Sequence, residues 1–138
     1  MKKQLVVLVL PFLLTGCADK QHFEEAVLAE MEKEKDIKDY KIDPAHMAKC
    51  VADTTYINMP GLFAFDPTRM QAYRNYTKML TLTKLEDPKK ALEELRKEFG
   101  SPQELAKAHT NYTESIMNCY TAIMHEEDAE EKPAKEQG

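Results

Sequence analysis

The sequence predicts an all-α protein: a small antiparallel bundle of about four body helices, preceded by an amphipathic helix and stapled by one disulfide. Two observations predict this class. Capping residues directly before prolines divide the body into segments of helix length, and apolar residues recur at steps of three and four within those segments. Few stretches alternate in the way that a half-buried strand requires, and the body contains only two glycines, Gly61 and Gly100.

Four dipeptides predict the starts of the body helices. An Asp or Ser side chain accepts hydrogen bonds from unpaired N–H groups of the first turn, and proline at the first helical position gives up a donor that has no partner there. The pairs are Asp43-Pro44, Asp66-Pro67, Asp87-Pro88 and Ser101-Pro102. Ser101 also forms the capping-box pattern with Glu104, and Gly100 suits the end of the preceding helix.

Each predicted body helix carries one apolar stripe, which is the pattern of a helix packed on a core. In chain order the stripes are Met47, Val51 and Thr54; Met70, Tyr73, Thr77 and Leu80; Leu92, Leu95 and Phe99; and Leu105, Ala108, Tyr112, Ile116, Cys119 and Ile123. Cys50 lies on the face of the first stripe, so both Cys50 and Cys119 are predicted to face the core.

The flanking segments differ in composition. Phe23, Val27 and Met31 repeat every four residues among charged residues, and the chain then becomes mostly charged. We therefore assign residues 17–42 to an anchor, a thin amphipathic helix and a charged spacer, and 43–126 to the helical domain. Residues 127–138 are rich in acids and are expected to form a disordered tail.

The N-terminus has the order of a secretory leader. Lys2 and Lys3 precede a ten-residue apolar stretch, Leu5 to Leu14, which as a helix would span about 15 Å, half of a bilayer core. That length suits a signal peptide, here residues 1–16. Leu14-Thr15-Gly16-Cys17 resembles the lipobox of bacterial lipoprotein precursors. The resemblance implies cleavage before Cys17 and acyl chains, such as palmitate, on that residue.

The resemblance also implies a location. Two or three acyl chains hold a protein stably on a membrane, whereas one chain binds only marginally. In enterobacteria-like lipoproteins an Asp directly after the cysteine retains the protein in the inner membrane; here Ala18 follows Cys17 and the Asp is Asp19. We expect the periplasmic side of the outer membrane, with the inner membrane and the cell surface as alternatives.

The charge of the chain and its cysteines limit the kinds of partner and cross-link to be expected. Without Lys2 and Lys3 the chain keeps 17 basic against 24 acidic residues, a formal charge of −7, which argues against nucleic acid as a partner. If lipid occupies Cys17, Cys50 and Cys119 remain as a pair in an oxidising compartment and are expected to form a disulfide. Two free buried thiols are the alternative.

Signals of catalysis and metal binding are sparse. No Gly-rich phosphate loop or nucleophile elbow is present, and His22, His46, His109 and His125 show no ligand spacing on one helix. The adjacent pairs His46-Met47 and Met124-His125 offer ligands suited to Cu(I), but neighbouring helical residues point about 100° apart, and methionine commonly fills cores. We expect no enzyme, no cofactor and no metal site.

One segment is apolar although its Pro60-Gly61 pair predicts a loop. It either folds back over the core or forms one wall of a groove for a partner helix or peptide. Met79 and Leu82 project away from the stripe of their helix, and Tyr76 lies at its flank. The predicted partner-binding residues are therefore Met59, Leu62, Phe63, Phe65, Tyr76, Met79 and Leu82.

The sequence thus favours a non-catalytic, lipid-anchored module that binds or escorts another cell-envelope protein. Its architecture looks like that of pilotins, the small helical lipoproteins of secretion systems, although no pilotin motif matches residue by residue. The resemblance implies a helical segment of an outer-membrane protein as the partner. The alternative is a periplasmic lipoprotein that binds a small ligand or copper.

Overall fold

The computed structural model describes residues 12–131, apart from the side chains of 12–17, 127, 128, 130 and 131. This part of the chain is all-α, as predicted, and contains no strand. The elements are α1 (Phe12–Met31), α2 (Lys35–Asp39), α3 (Pro44–Ile57), α4 (Pro67–Thr81), a 3₁₀ turn (Leu82–Lys84), α5 (Pro88–Glu98) and α6 (Pro102–Glu131).

The four predicted helix starts are confirmed, each at the expected proline. Asp43 accepts hydrogen bonds from the backbone N–H of Ala45 and His46 at 3.3 and 3.2 Å. Asp87 accepts one from Lys90, and Ser101 accepts one from Glu104 at 3.1 Å. Local capping chemistry therefore sets the helix boundaries of the body, independently of tertiary contacts.

The core includes residues of the N-terminal helix. Phe23, Val27 and Met31 are at most 1% exposed, and α1 packs against both α3 and α4. Ile37 and Ile42, in the segment that we expected to be a solvated spacer, are also buried. Residues 17–42, which we assigned to an anchor, an amphipathic helix and a charged spacer, thus supply part of the core through apolar positions among their charges.

Helices α1 and α4 run in the same direction. Arg74 forms an ion pair with Asp19 near the start of α1, and Lys84, just after α4, lies 3.8 Å from Glu30 near its end. Both helices also meet through aromatic contacts, since the ring of Phe23 lies 5.7 Å from that of Tyr73. The loop that precedes α4 is therefore at the end of the molecule where α1 begins.

Helices α3 and α6 run in opposite directions and carry the two cysteines. The Sγ atoms of Cys50 and Cys119 lie 2.04 Å apart, the distance of a disulfide, with the Cα atoms 5.8 Å apart. Nearer the end of α3, Asn58 donates a 3.3 Å hydrogen bond to Asn111. The pairing predicted from the two core-facing stripes is therefore the one that the fold brings together.

The last helix is longer than the sequence suggested. Helix α6 continues to Glu131, so residues 127–131 are helical where a disordered tail was predicted, while 132–138 lie outside the described residues. Residues 1–11 of the predicted signal peptide also lie outside the described residues. Helix α1 begins at Phe12 and includes the backbone of Cys17. Within the described residues, no helix is long and apolar enough to cross a membrane.

Candidate interaction site

An apolar loop, residues 58–66, joins α3 to α4 and presents large apolar side chains to solvent. Leu62 is 91% exposed, Phe63 60% and Phe65 55%. Ile57, the last residue of α3, adds a fourth exposed apolar side chain beside them, at 73%. Single exposed apolar residues are ordinary, but several within one short segment form a patch of the kind that marks an interaction surface.

Arg69 fastens this loop to the body from inside. Its side chain is only 5% exposed, and its Nη2 donates a 2.7 Å hydrogen bond to the carbonyl oxygen of Gly61. Its Nη1 donates to the carbonyl oxygen of Tyr56, and its guanidinium lies 4.1 Å from the centre of the Tyr56 ring. One buried cation thus joins α4, the end of α3 and the loop, and stabilises the loop conformation.

Gly61 makes this close approach feasible. Its φ of +108° is in the region that side-chain-bearing residues rarely adopt. A Cβ at this position would lie 2.7 Å from both the Cβ and the backbone nitrogen of Arg69. The loop therefore requires glycine at this position, both for its turn and for its contact with α4.

Asp66 holds the loop from its other end. One carboxylate oxygen accepts a 2.8 Å hydrogen bond from the Leu62 N–H, and the other accepts one of 2.8 Å from the Thr68 N–H, which caps α4. These two backbone donors, the Leu62 N–H first, lower the pKa of Asp66 below its ordinary value. The backbone N–H of Asp66 in turn bonds the Phe63 carbonyl at 3.1 Å.

The structure divides the seven predicted partner-binding residues into two groups. Leu62, Phe63 and Phe65 are exposed in the loop. Met59 and Tyr76 are buried in the core and are therefore not accessible to a partner in this structure. Met79 packs against the core and Leu82 is half-buried. The seven residues therefore do not line one groove; the loop covers the core with Met59 and projects its other apolar side chains outward.

Tyr76 belongs to a polar network that ties three helices together. Its hydroxyl accepts a 3.0 Å hydrogen bond from Asn111, which also donates to the Thr55 carbonyl at 3.0 Å. Burial raises the pKa of the Tyr76 hydroxyl, and the Asn111 bond partly offsets the effect. The network connects α3, α4 and α6 just beneath the loop, so it gives the loop a rigid base.

In each of the two candidate copper-binding pairs, the histidine and the methionine point in different directions. His46 is exposed whereas Met47 is fully buried, and exposed His125 follows Met124, which packs against the core. The neighbours thus point apart, as helical geometry requires. Among the described residues, no group of three or more His, Cys, Asp or Glu side chains is placed to hold a metal ion.

Comparisons with known proteins add no family. The chain matches no protein-family model, and no significant match is found among curated proteins or solved structures.

Proposed function

We propose that the protein is a lipid-anchored, non-catalytic helical module, facing the periplasm from the outer membrane, that binds or escorts another cell-envelope protein. The observation that carries the proposal is the apolar loop. Exposed apolar surface costs solubility, and a mobile loop could fold it away. Here Arg69, Gly61 and Asp66 hold it outward in one conformation. A surface kept apolar and ordered in this way suits binding, since little ordering remains to be done on contact.

The anchor is supported by the resemblance of the segment from Leu14 to Cys17 to a lipobox. Acyl chains on Cys17 would be attached close to the core, because Phe23, six residues later, is already buried. The body would thus be a stapled helical bundle held close to the membrane rather than on a long tether. Such a position suits a module that holds a partner at the membrane.

The protein partner can be identified by photocrosslinking in intact cells. Photoreactive residues would replace Leu62 in the loop and, elsewhere on the surface, Leu85 and Met117, which are 49% and 68% exposed. Position 76 is unsuitable, because Tyr76 is buried. One dominant envelope protein crosslinked from any of these positions supports the proposal. Absence of a specific protein adduct from all three, with the protein present at the membrane, contradicts it.

A further inference from the structure

The apolar loop and the predicted lipid site lie at the same end of the molecule. Arg74 pairs with Asp19, two residues after Cys17, and α4 begins seven residues before Arg74. At 1.5 Å per residue, the start of α4 is about 10 Å further toward the start of α1. Ala64 of the loop and Lys20 of α1 line one shallow cavity. The loop therefore lies level with the residue that would carry the acyl chains.

The loop also has the polarity of a segment that enters a lipid interface. From Thr54 to Thr68 the only charged residue is Asp66, in a chain of which 31% is charged. Leu and Phe are side chains that interfacial segments bury at the boundary between headgroups and acyl chains. The formal charge of −7 disfavours a strongly anionic surface, and at this end Lys20 and Arg74 are each paired with an acid, Glu24 and Asp19. The surface that fits the loop is therefore one of mainly zwitterionic lipid.

Several backbone polar groups of the loop are already bonded within the protein. The Leu62 N–H bonds Asp66, the Gly61 carbonyl bonds Arg69, and the Phe63 carbonyl bonds the Asp66 N–H. Internal pairing matters at a membrane, because an unpaired backbone group that leaves water for lipid costs several kcal/mol. These bonds lower the cost of inserting the loop tip.

From these observations we propose that Leu62, Phe63 and Phe65 insert into the surface of the membrane that holds the lipid anchor. The loop is then a second attachment point to the membrane, beside the lipid anchor. This inference rests on the proposed lipid anchor, and it assigns the loop to the lipid surface instead of to the protein partner. The partner would then bind on another face, which the crosslinks from Leu85 and Met117 probe.

The test places an environment-sensitive fluorophore on the loop of the lipidated protein. Leu62→Cys is labelled without reductant, so that Cys50 and Cys119 stay joined. The matched control is Leu85→Cys, an exposed leucine next to Lys84 at the opposite end of α1. The proteins are incorporated into vesicles of phosphatidylethanolamine with a minor share of phosphatidylglycerol. We expect a blue shift and quenching by nitroxide-labelled lipid at position 62, and water-like emission at position 85.

Each outcome has a distinct meaning. Water-like emission at position 62 in protein that floats with the vesicles overturns the inference and leaves the anchor intact. A blue shift that grows with protein concentration in the absence of vesicles assigns the loop to a second copy, and a protein adduct from position 62 in cells assigns it to a protein partner; both overturn the inference. Protein that carries no acyl chain contradicts the proposed anchor instead.

A second measurement does not depend on lipidation. The chain from residue 17, with Cys17→Ser, is mixed with the same vesicles and compared with the variant that also carries Leu62→Ser, Phe63→Ser and Phe65→Ser. Because these three side chains are exposed, we expect the substitutions to leave the fold unchanged, which circular dichroism checks. We expect the triple variant to partition about tenfold or more weakly, from the apolar area it removes. Equal partitioning of the two proteins contradicts membrane insertion.

Discussion

The guanidinium of buried Arg69 donates a 2.7 Å hydrogen bond to the carbonyl oxygen of Gly61, eight residues earlier in the chain. This contact joins the first turn of α4 to the preceding loop. Leu62, the residue after Gly61, is the most exposed of the large apolar side chains described. The buried guanidinium thus holds the loop that carries the exposed apolar side chains. A substitution of Arg69 can therefore test how firmly the loop is held.

Removal of the Arg69 guanidinium should destabilise the domain and release the loop. Arg69→Met keeps much of the volume but leaves the Tyr56 and Gly61 carbonyls without this donor. We expect a loss of about 2–4 kcal/mol in the free energy of unfolding. The control Arg74→Met removes a half-exposed ion pair with Asp19 and should cost at most about 1 kcal/mol. Urea unfolding followed by circular dichroism measures both, and equal losses would contradict the role of Arg69.

The two internal glycines provide a matched pair of variants. Both have positive φ, but a Cβ at Gly100 meets nothing within 4 Å, whereas one at Gly61 meets Arg69 at 2.7 Å. Gly100→Ala should therefore cost only the backbone term, about 1–2 kcal/mol. Gly61→Ala should cost about 1–3 kcal/mol more, from the clash. Thermal and urea unfolding of the two variants give the comparison; a Gly61→Ala variant no less stable than Gly100→Ala would contradict the close packing.

The cysteine pair should contribute a large part of the stability. Cys50 and Cys119 are separated by 69 positions, and the chain-entropy treatment gives about 4 kcal/mol for a loop of that size. Removal of a native disulfide from other small domains typically costs about 2–5 kcal/mol. Cys119→Ser, or reduction of the wild type, should lower the melting temperature accordingly. The reductant should leave Cys119→Ser unaffected. Two thiols that titrate in the native, air-exposed protein would show that the pair is not oxidised.

The N-terminal helix should be required for folding. A chain truncated to residues 43–131 lacks Phe23, Val27 and Met31, and each buried side chain of this size contributes about 2–5 kcal/mol. Their sum is comparable to the whole stability of a small domain. We expect the chain of residues 17–131 to unfold cooperatively and the shorter chain to lack a cooperative transition in urea. A cooperative transition in the shorter chain would show that residues 43–131 fold without α1.

Alkaline pH should destabilise the fold through its buried tyrosines. Burial raises the pKa of Tyr73 to about 12 from an ordinary 10.0, and burial also raises those of Tyr76 and Tyr112. The folded state thus favours the neutral hydroxyl, so this contribution is complete below pH 10 and is lost as the pH rises toward the folded-state pKa. Urea midpoints should fall over that range. The Tyr73→Phe variant should show a smaller fall of the urea midpoint with pH. Tyr40→Phe, at an exposed position, should show the same fall as the wild type.

Sequence reasoning succeeded where the signal is local. The helix starts depend on the side chains of Asp43, Asp66, Asp87 and Ser101, which accept hydrogen bonds from backbone N–H groups two or three residues later, so capping rules suffice. The cysteine pairing was predicted because the lipobox resemblance assigns Cys17 to lipid, which leaves Cys50 and Cys119, and both of these lie on apolar stripes of their helices.

Features that depend on contacts between residues far apart in the chain could not be predicted from the sequence. The burial of Phe23 depends on Tyr73 and Tyr76, about fifty residues later, and the surrounding charges made its helix look peripheral. Arg69 gave no signal at all, since the groups it bonds are backbone carbonyls, which any residue supplies. The loop was recognised from its composition, but which of its side chains face outward depends on that arginine.

Lipid at Cys17 is proposed to hold this helical domain on a membrane. Mass spectrometry of the N-terminal peptide of the protein purified from envelopes detects that modification. We expect a chain that begins at Cys17 and carries a diacylglyceryl group and an N-acyl chain, and a Cys17→Ala variant that keeps the residues before position 17. A wild-type N-terminal peptide that retains those residues, or begins at Cys17 without lipid, would contradict it.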